Sequence, residues 1–245
     1  MYILSLDTTA KTASAGLIKA DGEKLVPAVT VQVNSTLTHS ESLLPMIDFC
    51  MKNEHISLDD VSMIAVSAGP GSFTGVRIGV SAVKGLAFGR DIKCVGVSTL
   101  FALALNVDDA KRGMIICPVM DARRCQFYNA LFTADGKGNI KRLCEDRAIS
   151  FDELASNLYE KYADKSIVLV GDGAELFMSL LKNSKYEFSA DCARPDKIYQ
   201  NAYSVAKAAL LTIDKNTNYS AEKLLPVYLR LSQAERERNE RIKQQ

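Results

Sequence analysis

AVSAGPGSFTGVRIG, residues 65–79, is the stretch that decides the fold prediction for this chain. Its first residues end an apolar strand that begins at Val61, and the glycines after them predict a tight turn into a helix. Gly69, Gly71 and Gly75 are expected to supply positive φ angles or a close approach of the backbone to a neighbouring segment. Ser72 or Thr74 would cap the helix that follows.

This glycine turn leaves two interpretations open. Free backbone N–H groups between a strand and a helix form a cradle that binds an anion. The same glycines also serve strand–helix packing alone. The turn lacks the Lys-Ser/Thr ending of a P-loop and does not match the dinucleotide-binding fingerprint. Packing is therefore the favoured interpretation, and anion binding is the alternative.

Composition limits the class of protein. The chain has 245 residues, of which 47% are hydrophobic, so it can form one large or two small domains. Thirty basic and 29 acidic residues leave a net charge of +1, so no bulk field favours nucleic acid or membrane. The six Cys form no CxxC pair and no signal peptide is visible, which predicts reduced core thiols in a cytoplasmic protein. No apolar run is long enough to span a bilayer.

The first 108 residues predict one α/β lobe, in the element order βββαβαβα. Pro27 in the third strand indicates a bulge or an edge position. Pro45 lies in the first turns of the first helix or kinks it. The expected strands are 2–8, 13–19, 24–33, 61–67 and 93–97, and the expected helices are about 41–53, the glycine-turn helix and one capped by Ser98.

Residues 109–220 repeat this order and predict a second lobe. Ser150 and Glu153 form a capping box at the start of its first helix. Its expected strands are 113–121, 125–134, 140–149, 166–170 and 186–190, and its helices end at about 162, 183 and 213. The last helix, from about 197, is expected to pack back on the first lobe. In the tail, 221–245, interleaved Glu and Arg predict a solvated helix or frayed end rather than an RNA-binding arm.

Two lobes of this order resemble the tandem RNase H-like lobes of the actin-like and sugar-kinase ATPases, the ASKHA fold. Several motifs are more specific. Together they resemble the bacterial TsaB family over nearly the whole chain: LDTT at 6–9, HSESLLP at 39–45, GPGSFTGVRIG at 69–79, MDARR at 120–124, GDG at 171–173 and PVYLR at 226–230.

The resemblance implies a role in tRNA modification. Family members are non-catalytic paralogues of TsaD that bind and support it. With TsaC and the ATPase TsaE, TsaD makes N6-threonylcarbamoyladenosine at adenosine 37 of tRNAs. The resemblance therefore implies a heterodimer with TsaD, TsaE binding once TsaD is bound, only indirect contact with tRNA, and no cofactor or membrane.

The phosphate-binding turns of the active relatives are altered here, which predicts a degenerate nucleotide pocket. The usual glycine after the first turn is missing, and Ala and Arg replace glycines in the second. Asp172 would repel a phosphate. Weak nucleotide binding stays the alternative, and the positions of the vestigial loops are Asp7, Thr8, Thr9, Asp121, Gly171 and Gly173.

No catalytic or metal-binding set is apparent in the sequence. TsaD holds its metal with two His four residues apart, whereas His39 is followed at that spacing by Leu43, and His55 is the only other His. His39 is therefore expected to cap or orient its helix. HExxH and GxSxG are missing. The alternatives to a non-enzyme are an actin-like nucleotidase and a peptidase acting on TsaD.

The first two helices are predicted to form the partner interface, and the alternative is that they pack only on each other and on the sheet. Apolar residues cover about 220° of the first helix, more than a one-sided stripe requires. The second helix carries a strip of small residues. The same face would serve self-pairing when TsaD is absent. The predicted interface residues are Leu43, Leu44, Met46, Ile47, Cys50, Met51, Gly75, Arg77, Gly79 and Ala82.

Overall fold

A computed structural model describes residues 1–22, 24–34, 38–214, 217 and 219–230. The first lobe contains β1 (Tyr2–Asp7), β2 (Ala13–Asp21), β3 (Lys24–Val33), α1 (His39–Asn53), β4 (Val61–Gly69), α2 (Phe73–Ala87), β5 (Lys93–Ser98) and α3 (Thr99–Ala104). The second contains β6 (Ile115–Asp121), β7 (Gln126–Ala134), β8 (Ile140–Ser150), α4 (Phe151–Tyr162), β9 (Ile167–Val170), α5 (Ala174–Lys182), β10 (Ala190–Cys192) and α6 (Ala202–Thr212).

Both sheets have the same topology, which confirms the duplicated α/β architecture. Their strand orders are β3-β2-β1-β4-β5 and β8-β7-β6-β9-β10. In each lobe the first three strands are antiparallel and the remaining two are parallel to the first. The carboxyl ends of the parallel strands therefore lie together at one edge of each sheet, the place where α/β folds bind their ligands.

The final helices of the two lobes are exchanged. α1 and α2 cover one face of the first sheet, and α6 covers the other. α6 packs closely because its inward residues are small: a Cβ at Gly16 of β2 would lie 2.9 Å from the Cβ of Ala202. Conversely, α3, the last helix of the first lobe, places Leu100 and Leu103 in the core of the second lobe. The two lobes therefore share their hydrophobic cores.

Most boundaries agree with the sequence to within about two residues, but two predictions in the second lobe are wrong. The last strand is Ala190–Cys192, not 186–190, because it pairs with β9 only over three residues while Tyr186 and Phe188 pack on the core from a loop. α6 begins at Ala202, five residues later than expected, because the Asn201 side chain caps it by accepting the amide of Ser204.

The prolines and caps behave as predicted. Pro27 lies on the edge strand, next to a register shift that leaves an extra residue opposite Leu17 and Ile18. Pro45 lies inside α1, which starts two residues early because Thr38 and Glu41 form a capping box. The Ser150–Glu153 capping box is present.

The cysteines are all free thiols, as expected, but not all of them are in the core. Cys50 and Cys117 are buried, and burial raises their thiol pKa values to about 11 and about 12. Cys125 and Cys192 are exposed, which corrects the expectation for these two. Within the described part of the chain no helix is long and apolar enough to cross a membrane. The predicted Glu/Arg helix or frayed end, from residue 234 onward, lies outside the described residues.

Candidate functional site at the strand ends

The turn after β1 is held by hydrogen bonds to a buried carboxylate. Asp7 Oδ1 accepts the Thr9 amide at 2.8 Å and the Thr9 hydroxyl at 2.7 Å, and Oδ2 accepts the Ser67 hydroxyl. Burial raises the pKa of Asp7, while the hydrogen bonds from Ser67 and Thr9 lower it; the burial effect is the larger. Asp7 thus holds the turn between β1 and β2 in place and links it to β4 through Ser67.

The glycine turn packs directly on the turn after β1. The Thr8 hydroxyl donates to the Gly75 carbonyl at 2.7 Å, and the Ser72 amide donates to the Thr9 carbonyl at 2.7 Å. A Cβ at Gly75 would lie 2.0 Å from the carbonyl oxygen of Thr8, and one at Gly71 would lie 2.5 Å from that of Thr9. These contacts favour the packing interpretation over an anion cradle.

The three glycines serve two different purposes. Gly69 has a φ of +123°, a conformation that favours glycine. Gly71 and Gly75 do not have positive φ angles and are needed only for close approach. Ser72, not Thr74, caps α2 by accepting the Gly75 amide at 3.3 Å.

The turn after β6 has the positive φ angles that usually require glycine, although it contains no glycine. Asp121 Oδ1 accepts the Arg123 amide at 2.7 Å. Arg123, Arg124 and Cys125 then have φ angles of 65°, 56° and 55°. This left-handed conformation costs free energy in residues that carry a Cβ. The Ala and Arg residues therefore replaced the expected glycines without removing the conformation that glycine usually supplies.

The Gly171–Gly173 turn packs on the end of β6. Gly171 has a φ of +116°, and a Cβ there would lie 2.3 Å from the Val119 carbonyl oxygen. The Gly173 amide donates to the same carbonyl at 3.0 Å. Both glycines are thus used for packing against the chain's own strand.

The carboxylate of Asp172 interacts electrostatically with those of Asp121 and Asp7. Burial, followed by the negative charges of Asp121 and Asp7, raises the pKa of Asp172 to about 6. Asp172 Oδ1 is buried and has no partner among the residues described. This local negative charge disfavours a phosphate at this point.

His39 contacts a backbone carbonyl rather than another candidate ligand. Its Nε2 lies 2.6 Å from the carbonyl oxygen of Ala10, which ties the start of α1 to the loop after β1. This is the orienting role expected from the sequence. Over the described residues, no group of three or more His, Cys, Asp or Glu side chains could hold a metal ion.

A C-terminal strap, residues 224–230, contacts both the glycine turn of the first lobe and the turn after β6 in the second lobe. The Val227 amide donates to the Ala68 carbonyl at 2.7 Å. The Tyr228 ring stacks on Phe73 at 4.5 Å, and its hydroxyl accepts the Arg77 Nε at 2.9 Å. The Arg230 guanidinium donates to the Ala122 carbonyl in the second lobe. The sequence singled out PVYLR at 226–230 as a motif but did not reveal these contacts, because they join segments about 100 to 160 residues apart.

Most of the predicted interface residues are buried in the chain itself, which corrects that prediction. Gly75 and Gly79 pack on Thr8. α1 lies over β2 and β3 and beside α2, so its own neighbours cover the wide apolar arc. The α1 residues in the first-lobe core are Leu43, Met46, Ile47, Cys50 and Met51.

A smaller surface remains on these two helices. Leu44 and Phe49 of α1 are 54% and 52% exposed. Arg77 of α2 is exposed, and Ala82 is half-buried. Phe88, the residue that ends α2, is 83% exposed. Of the ten predicted interface residues, only Leu44, Arg77 and Ala82 reach the surface.

Comparison with known proteins identifies the family. The family model described as TsaD, tRNA N6-adenosine threonylcarbamoyltransferase, matches residues 33–243. The tRNA threonylcarbamoyladenosine biosynthesis protein TsaB of Escherichia coli strain K12 is 31% identical over 187 residues, 75% of this chain and 77% of that protein. TsaB of Bacillus subtilis strain 168 is 29% identical over 237 residues, 96% of each.

The length of the match distinguishes the TsaB proteins from the related threonylcarbamoyltransferases. The threonylcarbamoyltransferase of Geobacter sp. strain M21 is 25% identical, but this chain covers only 49% of it. A Pseudomonas aeruginosa structure, described as an uncharacterized protein with similarity to peptidase YeaZ, has a TM-score of 0.76 at 24% identity. It is matched over 94% of this chain and 99% of that one, and shows the same fold. The chain, two tandem α/β lobes, belongs to the TsaB family and takes part in the biosynthesis of threonylcarbamoyladenosine in tRNA.

Proposed function

We propose that this chain acts in the cytoplasm as a non-catalytic subunit that binds TsaD and supports its formation of threonylcarbamoyladenosine at adenosine 37 of tRNAs. TsaC and TsaE act in the same pathway, TsaE joining once TsaD is bound, and tRNA is contacted only through the complex. One observation carries the proposal. The Thr8 hydroxyl and both the amide and the hydroxyl of Thr9 donate inside the chain, so these candidate phosphate donors are already used.

The second lobe supports the same proposal. Asp172 lies near two other carboxylates, and Arg123 and Arg124 carry long side chains where a phosphate turn usually has glycine. The strap's Arg230 bonds to the Ala122 carbonyl of this turn. A nucleotide phosphate entering between the two turns would meet negative charge and backbone already engaged in internal contacts.

The two alternatives have less support. An actin-like nucleotidase would need the hydrogen bonds of Thr8 and Thr9 to break before phosphate could bind. A peptidase would need an activated nucleophile. The Ser72 hydroxyl caps α2, and the Nε2 of His39 is engaged with the Ala10 carbonyl.

Activity of the isolated protein tests the non-catalytic role. We expect neither steady ATP hydrolysis nor threonylcarbamoyl transfer from the purified chain, and tRNA modification only when TsaD, TsaC and TsaE are added. Omission of this chain from the complete mixture should reduce the product. Phosphate release that survives repurification and disappears in Asp7→Asn would contradict the proposal.

We place the TsaD contact on the exposed part of α1 and α2, around Leu44, Phe49, Arg77 and Ala82. Two exposed apolar side chains beside a helix with small and basic residues suit a helix–helix interface. A standard interface would cover about 800 Å² of this chain. The same surface would serve self-pairing in the absence of TsaD.

Charge substitutions on this surface test its position. Leu44→Glu and Phe49→Glu are expected to weaken TsaD binding at least tenfold with little change in thermal unfolding. Leu211→Glu is the matched control, because Leu211 is 59% exposed at the end of α6. Met46→Glu is unsuitable, since Met46 is only 5% exposed and the variant should unfold. Normal binding by both folded variants would place the partner elsewhere.

A further inference from the structure

A cavity of about 300 Å³ lies between the edge of the first sheet and the start of α6. Ser14 of β2 and Thr30 of β3 line one side, and Lys197, Asn201, Ala202 and Tyr203 are among the residues on the other. Asp7, Asp121 and Asp172 do not line it. The cavity is therefore separate from the turns described above.

The start of α6 presents two unused backbone donors. The Asn201 side chain accepts the Ser204 amide, and the Asn201 carbonyl accepts that of Val205. The amides of Ala202 and Tyr203 have no acceptor in the described chain. They lie at the positive end of the dipole of an 11-residue helix.

Ser14 adds a buried donor. The residue is 1% exposed, and its hydroxyl is buried with no partner among the described residues. Side chains alternate along a strand, so Ser14 points to the same face of β2 as Gly16, on which Ala202 packs. Ser14 is thus on the face of β2 that α6 covers, and it lines the cavity together with the helix start. A buried polar group without a partner costs free energy unless a ligand or water satisfies it.

The charged groups of the cavity are already paired. Lys197 Nζ lies 3.0 Å from Asp108 Oδ2, and Asp196 Oδ1 lies 3.4 Å from Arg194 Nε. These pairs leave little net charge. The preference of the cavity is set instead by its unused donors, which are two amides and a hydroxyl at the positive end of a helix. Such a donor set suits a ligand rich in acceptors.

We propose that this cavity binds a small oxyanion, a phosphate or carboxylate group of a small molecule, through the amides of Ala202 and Tyr203 and the hydroxyl of Ser14. The cavity is larger than the oxyanion alone needs, so a small organic group attached to it would also fit. The site is independent of the TsaD contact on α1 and α2, since it lies on the opposite face of the first sheet.

Amide NMR of the full chain tests the site directly. Inorganic phosphate, glycerol phosphate and acetate are titrated separately at constant ionic strength. We expect saturable shifts at Ala202 and Tyr203, and the order of affinity distinguishes phosphate from carboxylate. Absence of saturable shifts at both amides with all three probes would overturn the proposal.

Two variants test the donors. Ala202→Pro removes one amide at the first helical position, where proline is tolerated, and Asn201 already has the extended conformation that a following proline requires. Ser14→Ala removes the hydroxyl. Each is expected to weaken binding about fivefold or more, whereas Ser81→Ala, on the exposed face of α2, should not. Unchanged affinity in Ser14→Ala would overturn the proposal, even if the proline variant does not fold.

Discussion

The turns that follow the first strand of each lobe share one hydrogen bond but have different surroundings. In each lobe an Asp ends the first strand and accepts the amide of the residue two positions later, at 2.8 Å for Asp7 and 2.7 Å for Asp121. A glycine with positive φ lies at the carboxyl end of a parallel strand in each lobe: Gly69, the last residue of β4, with φ of +123°, and Gly171, directly after β9, with +116°. Beyond these shared features, the first lobe has Gly-Pro-Gly where the second has Gly-Asp-Gly.

The difference lies in what covers each turn. The first-lobe turn is buried under the glycine turn, on which the strap packs, so the polar groups of Thr8 and Thr9 are satisfied inside the chain. The second-lobe turn is more exposed and keeps three left-handed residues with side chains. It interacts with the carboxylate of Asp172, one oxygen of which is buried without a partner among the described residues. Duplicated turns can therefore keep the same hydrogen bond from an Asp to a backbone amide while one turn is buried in the core and the other is a surface loop.

The largest loss of stability is expected at Gly75, where the glycine turn packs most tightly on the first-lobe turn. Gly75→Val should destabilise the fold by about 3 kcal/mol or more, because the new Cβ would overlap the backbone oxygen of Thr8, which no rotamer change can move. Urea unfolding measures this cost. Gly85→Ala in the same helix is the control: its Cβ meets open space, and it should gain about 0.5–1 kcal/mol. Equal stability of the Gly75 variant and the native chain would disprove close packing of the turn.

The charge in the second-lobe glycine turn should make stability depend on pH. Because folding raises the pKa of Asp172 from 3.8 to about 6, the folded chain binds this proton more tightly than the unfolded chain. The free energy of unfolding should therefore fall as pH rises from about 4 to about 6. Relative to the native chain, Asp172→Asn should gain about 2–3 kcal/mol above that interval.

Unfolding of both proteins from pH 4 to 8 tests this prediction. Asp164→Asn, in an exposed turn, is the control. Parallel pH profiles of the native chain and Asp172→Asn would show that the carboxylates do not interact as described.

The strap that packs on the glycine turn should contribute moderately to the stability of the fold. Tyr228→Ala removes the ring that stacks on Phe73 and the hydroxyl that accepts from Arg77, and should cost about 1–2 kcal/mol. Thermal unfolding at fixed pH is the measurement. Leu225→Ala, 66% exposed in the same segment, should change stability by less than about 0.5 kcal/mol. A cost no greater than that of the control would mean that the strap is not held by the ring.

The smallest effect is expected in the exposed second-lobe turn. Arg124→Gly should stabilise the chain by about 0.5 kcal/mol, since relief of the left-handed conformation outweighs the added entropy of the unfolded glycine. Lys111→Gly, in a loop without a positive φ, should instead destabilise by about 0.5–1 kcal/mol. Destabilisation of the same size in both variants would contradict backbone strain at Arg124.

Element order and local caps could be predicted because they depend on nearby residues. Short apolar runs bounded by turns predicted the strands of both sheets except β10, whose three residues are too few to show a pattern. The Ser150–Glu153 pair could be recognised as a cap, and Ser72 as one of two candidates beside Thr74, because each cap bonds within one helical turn. Which residues of α1 face solvent could not be predicted in the same way. Helical periodicity places Met46 and Leu44 on an apolar arc but does not say how many neighbours cover it.

The sequence by itself determined the duplicated lobes, the altered phosphate turns and the absence of a His pair at metal-binding spacing. Only the tertiary structure decided that Met46 and Met51 face the chain's own core while Leu44 and Phe49 face solvent. It also brought Tyr228 onto Phe73, and Asp172 close enough to Asp7 and Asp121 to raise its pKa. The physical reason is the range of the interactions: hydrogen-bonded caps and turns join residues a few positions apart, whereas burial and charge repulsion depend on segments that only the folded chain brings together.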